Sequence, residues 1–318
     1  MGKGVKLTAN SPSQTHDQGP GTVLVTGGAG FIGSQLVDHL ARAGARAIVL
    51  DDFSSGDAAN LPAGIEVIRA DIANPATIGA IAAARPDAIV HAAAQVSVPR
   101  SMADPDRDRA VNLVGTEHVL AGAQAAGGAR VVFVSTGGGI YGETPEPATE
   151  QTLPRPKAYY SIHKYAAERY LELSGLPYAI ARLANVYGPR QRSDLEGGVV
   201  AILAERLAAG LPITIFGSGE QQRDFVHVTD VVRALVAMLQ SDANGMWNVG
   251  TGTTTTVNEL LRETEGVFGA ATGVEYAPSR PGDVFQSCLA IDAIQRDLGW
   301  APTISLPEGL RTLAGPVA

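Results

Sequence analysis

The first half of the chain alternates short, almost continuously apolar runs with alanine-rich stretches of helical periodicity. Runs of this length predict strands that are buried on both faces, as in a parallel sheet. Strands separated by helices predict an α/β fold with a Rossmann-type, doubly wound parallel sheet. The strands are predicted at 22–26, 47–51, 66–70, 88–91, 131–135 and 178–182, and the helices near 31–43, 75–85, 104–126 and 158–174.

The regular alternation weakens after Asn185, where glycine, proline and charged residues cluster at 187–198 and 216–224. Helical patterns follow near 199–210, 229–240, 256–268 and 305–314. These patterns predict a smaller C-terminal lobe that covers the cleft at the strand ends. We therefore expect a Rossmann domain at 21–182 plus about 225–250 and a second, substrate-binding lobe at 183–224 plus 251–318. Residues 1–20 are expected to form a disordered tail.

Charge and composition exclude several classes of partner. The formal net charge is −8 and contains no block of like charge, which argues against a nucleic-acid-binding surface. No apolar run reaches the roughly 20 residues that a membrane-spanning helix needs, and residues 1–20 contain no apolar segment of a signal peptide. Cys288 is the only cysteine, which fits a reducing compartment. The sequence therefore predicts a cytoplasmic protein without a nucleic-acid or membrane partner.

A glycine-rich turn, TGGAGFIG at 26–33, joins the first predicted strand to the first helix. Such glycines allow a tight turn and a close backbone approach to a pyrophosphate, which the following helix N-terminus attracts. Asp51 ends the second strand, where its carboxylate can bind the adenosine ribose hydroxyls and repel a 2′-phosphate. This pattern predicts NAD rather than NADP, and the residues expected to contact it are Gly27, Gly30, Phe31, Ile32, Gly33 and Asp51.

The end of the third predicted strand offers a second carboxylate. Asp71 follows that strand, and we expect its side chain to meet the adenine of the cofactor. The alternative is that Asp71 caps the next helix, because aspartate is a preferred N-cap residue.

Tyr160 and Lys164 are spaced as Y-x-x-x-K within the helix predicted at 158–174. Residues four apart lie on one helix face. An ammonium beside a phenol favours the phenolate and lowers a pKa that starts near ~10, and a positive nicotinamide ring acts in the same direction. Such a phenolate can take a proton from a substrate hydroxyl while hydride passes to NAD from the carbon that carries this hydroxyl. An ordinary pair of surface side chains is the alternative for so short a motif.

Short motifs follow one another in a specific order from about Thr22 to Thr312. They are TGGAGFIG (26–33), DI (71–72), HAAAQVSVPRS (91–101), NLVGT (112–116), STGGGIYG (135–142), YSIHK (160–164), RLANVYGPRQ (182–191), RDFVHV (223–228), WNVGTG (247–252) and RPGD (280–283). By these motifs the chain resembles the extended short-chain dehydrogenase/reductase family, in particular the UDP-glucose 4-epimerases and their relatives. The resemblance adds Ile72 to the expected cofactor contacts.

The resemblance implies an isomerase that inverts the hydroxyl at carbon 4 of a UDP-linked sugar, interconverting UDP-glucose and UDP-galactose. A 4-keto sugar forms, turns within the pocket and takes the hydride back on its other face. NAD is thereby regenerated and is expected to stay bound through turnover. The resemblance also implies a homodimer that is formed by the helices near 104–126 and 158–174.

One motif departs from the family pattern. The family usually has a catalytic serine or threonine three residues before its (V/I)YG segment, and this position is Gly137 when Ile140 begins IYG. Some epimerase-like members also have glycine here. Thr136, or less readily Ser135, is then expected to supply the hydroxyl that bonds the reacting oxygen. The alternative for Thr136 is a hydrogen bond to backbone at the strand end.

The later motifs suit a nucleotide diphosphate. Guanidinium groups pair well with phosphate oxygens, so Arg223 and Arg280 are expected to bind the diphosphate, with surface ion pairs as the alternative. The resemblance adds Asn185 and Phe216 to the residues that contact the nucleotide. Phe216 can pack on uracil, and packing in a hydrophobic core is its alternative.

The family has a residue, four places after the Asp of its Gly-Asp pair, that limits the substituent at sugar carbon 2. Asp283 places this position at Ser287. Because serine is small, we expect N-acetylated sugars to be accepted as well as plain hexoses. Arg100 is a further pocket candidate, although a surface position suits it equally. Asn112 is expected to bond backbone or water near the site, or to cap a helix.

The six histidines have no metal-ligand spacing, so we expect no metal site. His91, His163 and His227 are interpreted as hydrogen-bonded structural residues.

Three other functions stay open. The first is a nucleotide-sugar dehydratase, which needs an acid near carbon 6 of the sugar. Dehydratases of the family carry an Asp-Glu pair there, and the glycines at 137–139 of this chain therefore argue against this function. A uronic-acid epimerase or decarboxylase is harder to exclude, because Arg100 can face a carboxylate. A non-catalytic NAD-binding sensor belongs to a different class. The first of the three glycines favours it, whereas Tyr160 and Lys164 argue against it.

Overall fold

A computed structural model of the protein describes residues 21–194, 198–279 and 284–315. Within these ranges, the first six strands follow the predicted apolar runs of the sequence closely, and the later strands were not predicted. The strands are β1 (Thr22–Thr26), β2 (Arg46–Asp51), β3 (Glu66–Arg69), β4 (Ala88–His91), β5 (Arg130–Thr136), β6 (Tyr178–Leu183), β7 (Asn185–Tyr187), β8 (Ile213–Phe216), β9 (Gln222–Arg223), β10 (Phe225–His227), β11 (Gly245–Val249), β12 (Thr255–Thr256), β13 (Val274–Ala277) and β14 (Gln286–Ser287).

The helices alternate with the first six strands and then dominate the C-terminal part. They are α1 (Phe31–Arg42), α2 (Ala76–Ala84), α3 (Val98–Ala103), α4 (Pro105–Arg109), α5 (Gly115–Ala125), α6 (Gly137–Tyr141), α7 (Tyr159–Leu173), α8 (Val199–Ala208), α9 (Val228–Gln240), α10 (Val257–Phe268), α11 (Asp292–Leu298) and α12 (Leu306–Arg311). A π-helical segment, Ala110–Val114, joins α4 to α5. Short 3₁₀ turns occur at Ala58–Asn60 and Thr312–Ala314.

The central sheet has the strand order β3-β2-β1-β4-β5-β6-β11, and its neighbouring strands are parallel. One face packs against α1 and α9, and the other packs against α2, α5 and α7. The expected doubly wound Rossmann-type α/β fold is confirmed. The strand order reverses between β1 and β4, where a parallel sheet of this kind opens a cleft at the carboxyl ends of its strands.

The chain returns to the central sheet late, through α9 and β11, and β11 lies beside β6 at the sheet edge. β10 instead pairs with β7 outside the central sheet. Two further small sheets, β12-β9-β14 and β8-β13, form the C-terminal part together with α8, α10 and α12. These elements enclose a separate hydrophobic cluster that includes Leu203, Leu260 and Leu310.

The helix predicted near 104–126 is confirmed, because α4, the π-helical segment and α5 follow one another without a gap from Pro105 to Ala125. This helical run begins after Asp104, whose carboxylate accepts a hydrogen bond from the amide of Arg107 at 3.0 Å. Pro105 follows as the first residue of α4 and restricts the residue before it to non-helical backbone. An N-cap and a proline thus define where this helix begins and separate it from α3.

Candidate active site

A cavity of about 790 Å3 lies between the carboxyl ends of the central strands and the segment that follows β6. It brings together most of the residues that the sequence singles out. Those lining it are Gly27, Gly30, Phe31, Ile32, Gly33, Asp51, Asp71, Ile72, Arg100, Thr136, Tyr160 and Asn185.

The glycine turn has the shape that a bound pyrophosphate needs. Gly27 has φ of +67°, and a Cβ on it would come within 2.7 Å of the Ala93 backbone. A Cβ on Gly33 would overlap the carbonyl oxygen of Gly27. Gly30 precedes α1 without a side-chain cap, so the helix presents its first amides to the cavity. These backbone donors fit the phosphates of a dinucleotide.

Asp51 is held rigidly at the end of β2. Its two carboxylate oxygens accept hydrogen bonds from the amides of Ala29, at 2.9 Å, and Phe53, at 2.8 Å. Burial raises the pKa of the Asp51 carboxyl, and these backbone bonds act against the rise. A desolvated carboxylate at the cavity wall fits the ribose hydroxyls of NAD and is unfavourable for a 2′-phosphate.

Asp71 also reaches the cavity, but it does not cap a helix. Its carboxylate accepts from the amide of Ala73 at 2.8 Å, and Arg107 lies 3.4 Å away. Helix α2 begins only at Ala76, after Pro75. The helix-capping alternative for Asp71 is therefore wrong, and the adenine contact stays a prediction.

Tyr160 and Lys164 lie in the first two turns of α7. Tyr160 is half-buried at the cavity wall, whereas Lys164 is 2% exposed and its Nζ lies 4.0 Å from the ring centroid of Phe133. Burial lowers the pKa of the Lys164 ammonium to about 7. Burial raises the pKa of the Tyr160 phenol, and the carboxylate of Asp108 adds to the rise. The expected lowering of the phenol pKa is therefore wrong for the protein side chains alone, because burial and the Asp108 charge both raise it.

Asp108 is a site residue that the sequence pattern did not reveal. It is fully buried in α4, lines the cavity and accepts hydrogen bonds from Gln95, at 2.7 Å, and Asn112, at 2.9 Å. Its other oxygen accepts from Nδ1 of His163, one turn after Tyr160, at 2.6 Å. The Asn112 amide also bonds the backbone of Gln95, which confirms its expected backbone role. In the sequence, the only sign of this cluster is the i, i+4 spacing of Asp108 and Asn112, which places both on one helix face.

The histidines have the structural roles that were expected. His91 is buried between the hydroxyls of Thr26, at 2.7 Å, and Thr116, at 3.0 Å. Burial, with the nearby Lys164 charge, lowers the pKa of His91 to about 3, so the ring is neutral. His227 bonds Thr312 at 3.1 Å. In the part of the chain that the structure describes, no three His, Cys, Asp or Glu side chains are grouped as a metal site.

Gly137 and Gly138, the first two of the three glycines at 137–139, pack closely against the C-terminal part. Thr136 lines the cavity, and its hydroxyl oxygen accepts from the amide of Gly139 at 3.4 Å, which caps α6. This is the backbone bond that the sequence left as an alternative, and the Thr136 proton stays available to a ligand. A Cβ on Gly137 would lie 2.7 Å from the methyl groups of Leu289, and one on Gly138 would lie 2.7 Å from the hydroxyl of Ser287. Leu289 thus fills the space that a serine or threonine, usual in the family at this position, would need at residue 137.

The remaining substrate candidates occupy the small C-terminal sheets. Phe216 ends β8 with 36% of its surface exposed, on the face opposite the buried Ile213 and Ile215. Packing in a core is therefore not its role. Arg223 in β9 donates to the carbonyl of Phe285 at 3.2 Å, and Ser287 in β14 is buried. Arg280, like the Asp283 that places Ser287 in the motif, lies outside the described residues.

Among the helices of the described ranges, none combines the length and the apolar character that crossing a membrane requires.

The fold and the site define a class. A Rossmann-type sheet, a glycine turn with an aspartate at the end of the next strand, and a Tyr-Lys pair on one helix are the parts of a nucleotide-dependent oxidoreductase site. The sequence profile of the NAD-dependent epimerase/dehydratase family matches residues 23–250. The chain belongs to this family.

Several relatives are similar over almost the whole chain. The UDP-glucose 4-epimerase of Mycolicibacterium smegmatis is 43% identical over 298 residues, which cover 90% of this chain and 95% of that protein. The structure of UDP-glucose 4-epimerase from Thermotoga maritima with UDP-glucose has a TM-score of 0.89 at 42% identity, covering 92% and 96% of the two chains. The Thermus thermophilus UDP-glucose 4-epimerase in complex with NAD has the same TM-score at 41% identity, covering 93% and 100%.

Proposed function

We propose that the protein is an NAD-dependent UDP-hexose 4-epimerase. The observation that carries this proposal is the convergence of the glycine turn, Asp51, Tyr160 and Thr136 on one cavity. The chain is also similar, over nine tenths of its length, to UDP-glucose 4-epimerases. UDP-glucose and UDP-galactose are the proposed substrates.

Bound NAD would supply a hydride acceptor that returns the hydride later in the same turnover. The glycine turn and Asp51 would hold its pyrophosphate and adenosine ribose, with Asp71 and Ile72 beside the adenine. Tyr160 would take the proton of the carbon-4 hydroxyl and give it back after the 4-keto sugar has turned. Lys164 would favour the phenolate, together with the positive nicotinamide ring.

The Thr136 hydroxyl would bond the reacting sugar oxygen, because Gly137 has no side chain to do so. Asn185, Phe216, Arg223 and Arg280 would hold the nucleotide diphosphate.

Ser287 supports a wider sugar specificity. It is small and packs against Gly138, so no bulky side chain fills this position. We propose that the site accepts N-acetylated hexoses as well as plain hexoses.

A uronic-acid substrate is the second candidate. Arg100 is exposed and lines the same cavity, where its guanidinium can pair with a carboxylate. A uronic-acid epimerase or decarboxylase would use this contact.

We also propose that the protein is a cytoplasmic homodimer and that it binds no nucleic acid. Of the two helices expected at the interface, near 104–126 and 158–174, the second is α7, and its exposed apolar side chains support the dimer: Tyr159, Ile162, Tyr170 and Leu173. Val98 and Met102 of α3, which precedes the first of these helices, are exposed as well.

The direct test uses purified protein with UDP-glucose, UDP-N-acetylglucosamine and UDP-glucuronate in separate reactions. Anomeric-proton NMR resolves the products. We expect the galacto isomers of the first two substrates without added NAD. Isomerisation or decarboxylation of UDP-glucuronate alone would instead favour the second candidate. If no substrate reacts even with NAD added, the epimerase proposal is wrong.

Tyr160→Phe is the matched variant for this test. It removes only the phenolic hydroxyl, so we expect a loss of roughly 10²- to 10⁴-fold in kcat, the usual contribution of a general acid-base group. Bound NAD, measured after denaturation, should stay at the wild-type level. An active Tyr160→Phe variant would contradict the proposed role of the phenol.

A further inference from the structure

The segment of residues 188–194, here called the strap, leaves β7 and reaches back to the Rossmann side of the cavity. The side-chain amide of Gln35 donates to the carbonyl of Pro189 at 3.0 Å. The guanidinium of Arg190 lies 2.7 Å from the carboxylate of Asp38, and both side chains are half-buried. The strap is thus fastened to α1 at two points.

A third contact fastens the strap to the loop after β2. Arg192 donates to the carbonyl of Ser55 at 3.1 Å and is itself held by Asp194. The loop after β2 is bound in turn to the glycine turn, since Asn60 donates to the carbonyl of Ala29 at 3.1 Å. Hydrogen bonds therefore connect the strap to the wall that the cofactor contacts.

The strap and the opposite wall line the same cavity. Arg190 and Arg192 line it from one side, and Ser54, Ser55 and Asn60 line it from the side of Asp51. A dinucleotide in this cavity would lie between them.

The backbone of the strap is held in an unfavourable conformation. Arg190 has φ of +70°, in the left-handed region that residues other than glycine rarely adopt. Such strain persists where surrounding contacts over-determine it, and it is concentrated at ligand clamps. Gln191 supplies two of these contacts, through its amide to Gly188 and through its side chain to the carbonyl of Val186 at 2.9 Å.

We propose that Arg190 and Arg192 are positioning residues that retain the bound dinucleotide by closing the strap across the cavity. The inference rests on the proposed function only in taking NAD as the ligand. An enzyme that regenerates its cofactor in every turnover has no need to release it. Release requires the strap to open, so each of its ties slows dissociation.

The test measures dissociation directly. Holoenzyme that carries radiolabelled NAD is mixed with excess unlabelled NAD, and the label retained on protein is followed with time. We expect Arg190→Ala and Arg192→Ala each to speed release about threefold, as for a partly exposed polar contact. The double variant should release NAD about tenfold faster, because separate contacts contribute additively in free energy.

The matched control is Arg46→Ala. Arg46 forms an exposed ion pair of 2.8 Å with Glu66 that lines no part of the cavity. We expect wild-type release from this variant. Exchanging the charges, Arg190→Asp with Asp38→Arg, should restore most of the wild-type retention, which a general loss of packing would not do.

Wild-type release rates in both arginine variants would overturn the proposal, as would equally fast release from Arg46→Ala. The sugar assay separates this failure from that of the proposed function. If the protein epimerises sugars but the arginine variants release NAD at the wild-type rate, only the proposed role of the strap is refuted. If the variants release NAD faster but the protein epimerises no sugar, only the proposed epimerase function is refuted.

Discussion

At the scale of single residues, Lys164 serves the site at a cost in stability. Its ammonium is buried, with the ring of Phe133 as its packing partner, and its pKa falls to about 7. A lysine in the unfolded chain has a pKa near 10.4. The folded protein therefore binds fewer protons than the unfolded chain between about pH 7 and pH 10, and this group's contribution to stability rises with pH across that window.

Lys164→Met should stabilise the NAD-free protein while abolishing activity, because it removes the buried charge and keeps the volume. Because the pKa falls from near 10.4 in the unfolded chain to about 7 in the folded protein, we expect its free energy of unfolding to exceed the wild-type value by about 4–5 kcal/mol at pH 6. The difference should shrink towards pH 10. Urea unfolding at both pH values measures it, with the exposed Lys157→Met as control. A gain that does not depend on pH would show that the charge is not its cause.

Gly137 and Leu289 form a second residue-scale pair, because the leucine methyl groups occupy the space of a Cβ at 137. We expect Gly137→Ser to lower the free energy of unfolding by about 1–3 kcal/mol, the usual cost of overpacking. In a Leu289→Ala background the same change should cost at least about 1 kcal/mol less, as for residues in contact.

Gly266→Ser is the control for this pair, since a Cβ there meets no atom within 4 Å. Equal costs of Gly137→Ser in both backgrounds would mean that Leu289 is not the obstacle.

At the scale of elements, a buried ion pair joins α7 to the central sheet. Glu168 of α7 accepts from Nε of Arg182 in β6 at 3.0 Å and from the hydroxyl of Ser135 in β5 at 2.6 Å. The guanidinium of Arg182 also lies over the ring of Tyr141 at 4.8 Å. Since Glu168 lies one turn after Lys164, this network positions the helix that carries the Tyr-Lys pair.

Glu168→Ala should lower the free energy of unfolding by about 3–5 kcal/mol, because it leaves the Arg182 charge buried without a partner. The double variant Glu168→Met, Arg182→Met should lose less, since apolar replacements leave no unpaired charge. Urea unfolding of both variants tests this. A double variant at least as unstable as the single one would refute the pairing argument.

At the scale of the whole molecule, α7 carries an exposed apolar stripe. Tyr159, Ile162, Tyr170 and Leu173 recur at helical spacing, and Met102 of α3 is also exposed. Apolar faces of this kind mark interfaces between protein chains.

We expect Ile162→Asp to convert the proposed dimer into a monomer, because a carboxylate in a buried interface has no partner. Light scattering coupled to size-exclusion chromatography measures the mass. The control is Leu211→Asp, which changes an equally exposed leucine near the start of β8. A dimeric Ile162→Asp variant, or a wild-type monomer, would contradict the interface.

Local spacing was enough to predict the first six strands, the glycine turn with Asp51 and the common helix face of Tyr160 and Lys164. Apolar runs, glycine positions and i, i+4 spacing act on residues that are neighbours in the chain, so the sequence records them directly. The family motifs are also short and local, so the resemblance to the family could be recognised from the sequence as well.

Contacts between distant residues account for what the sequence did not show. Asp108 raises the pKa of the Tyr160 phenol from another helix, 52 positions away in the chain, and Leu289 fills the space beside Gly137. Phe216 turns outward because its strand, rather than its hydrophobicity, sets its direction. Burial and electrostatic fields depend on how the elements pack, and packing joins residues whose separation along the chain carries no pattern.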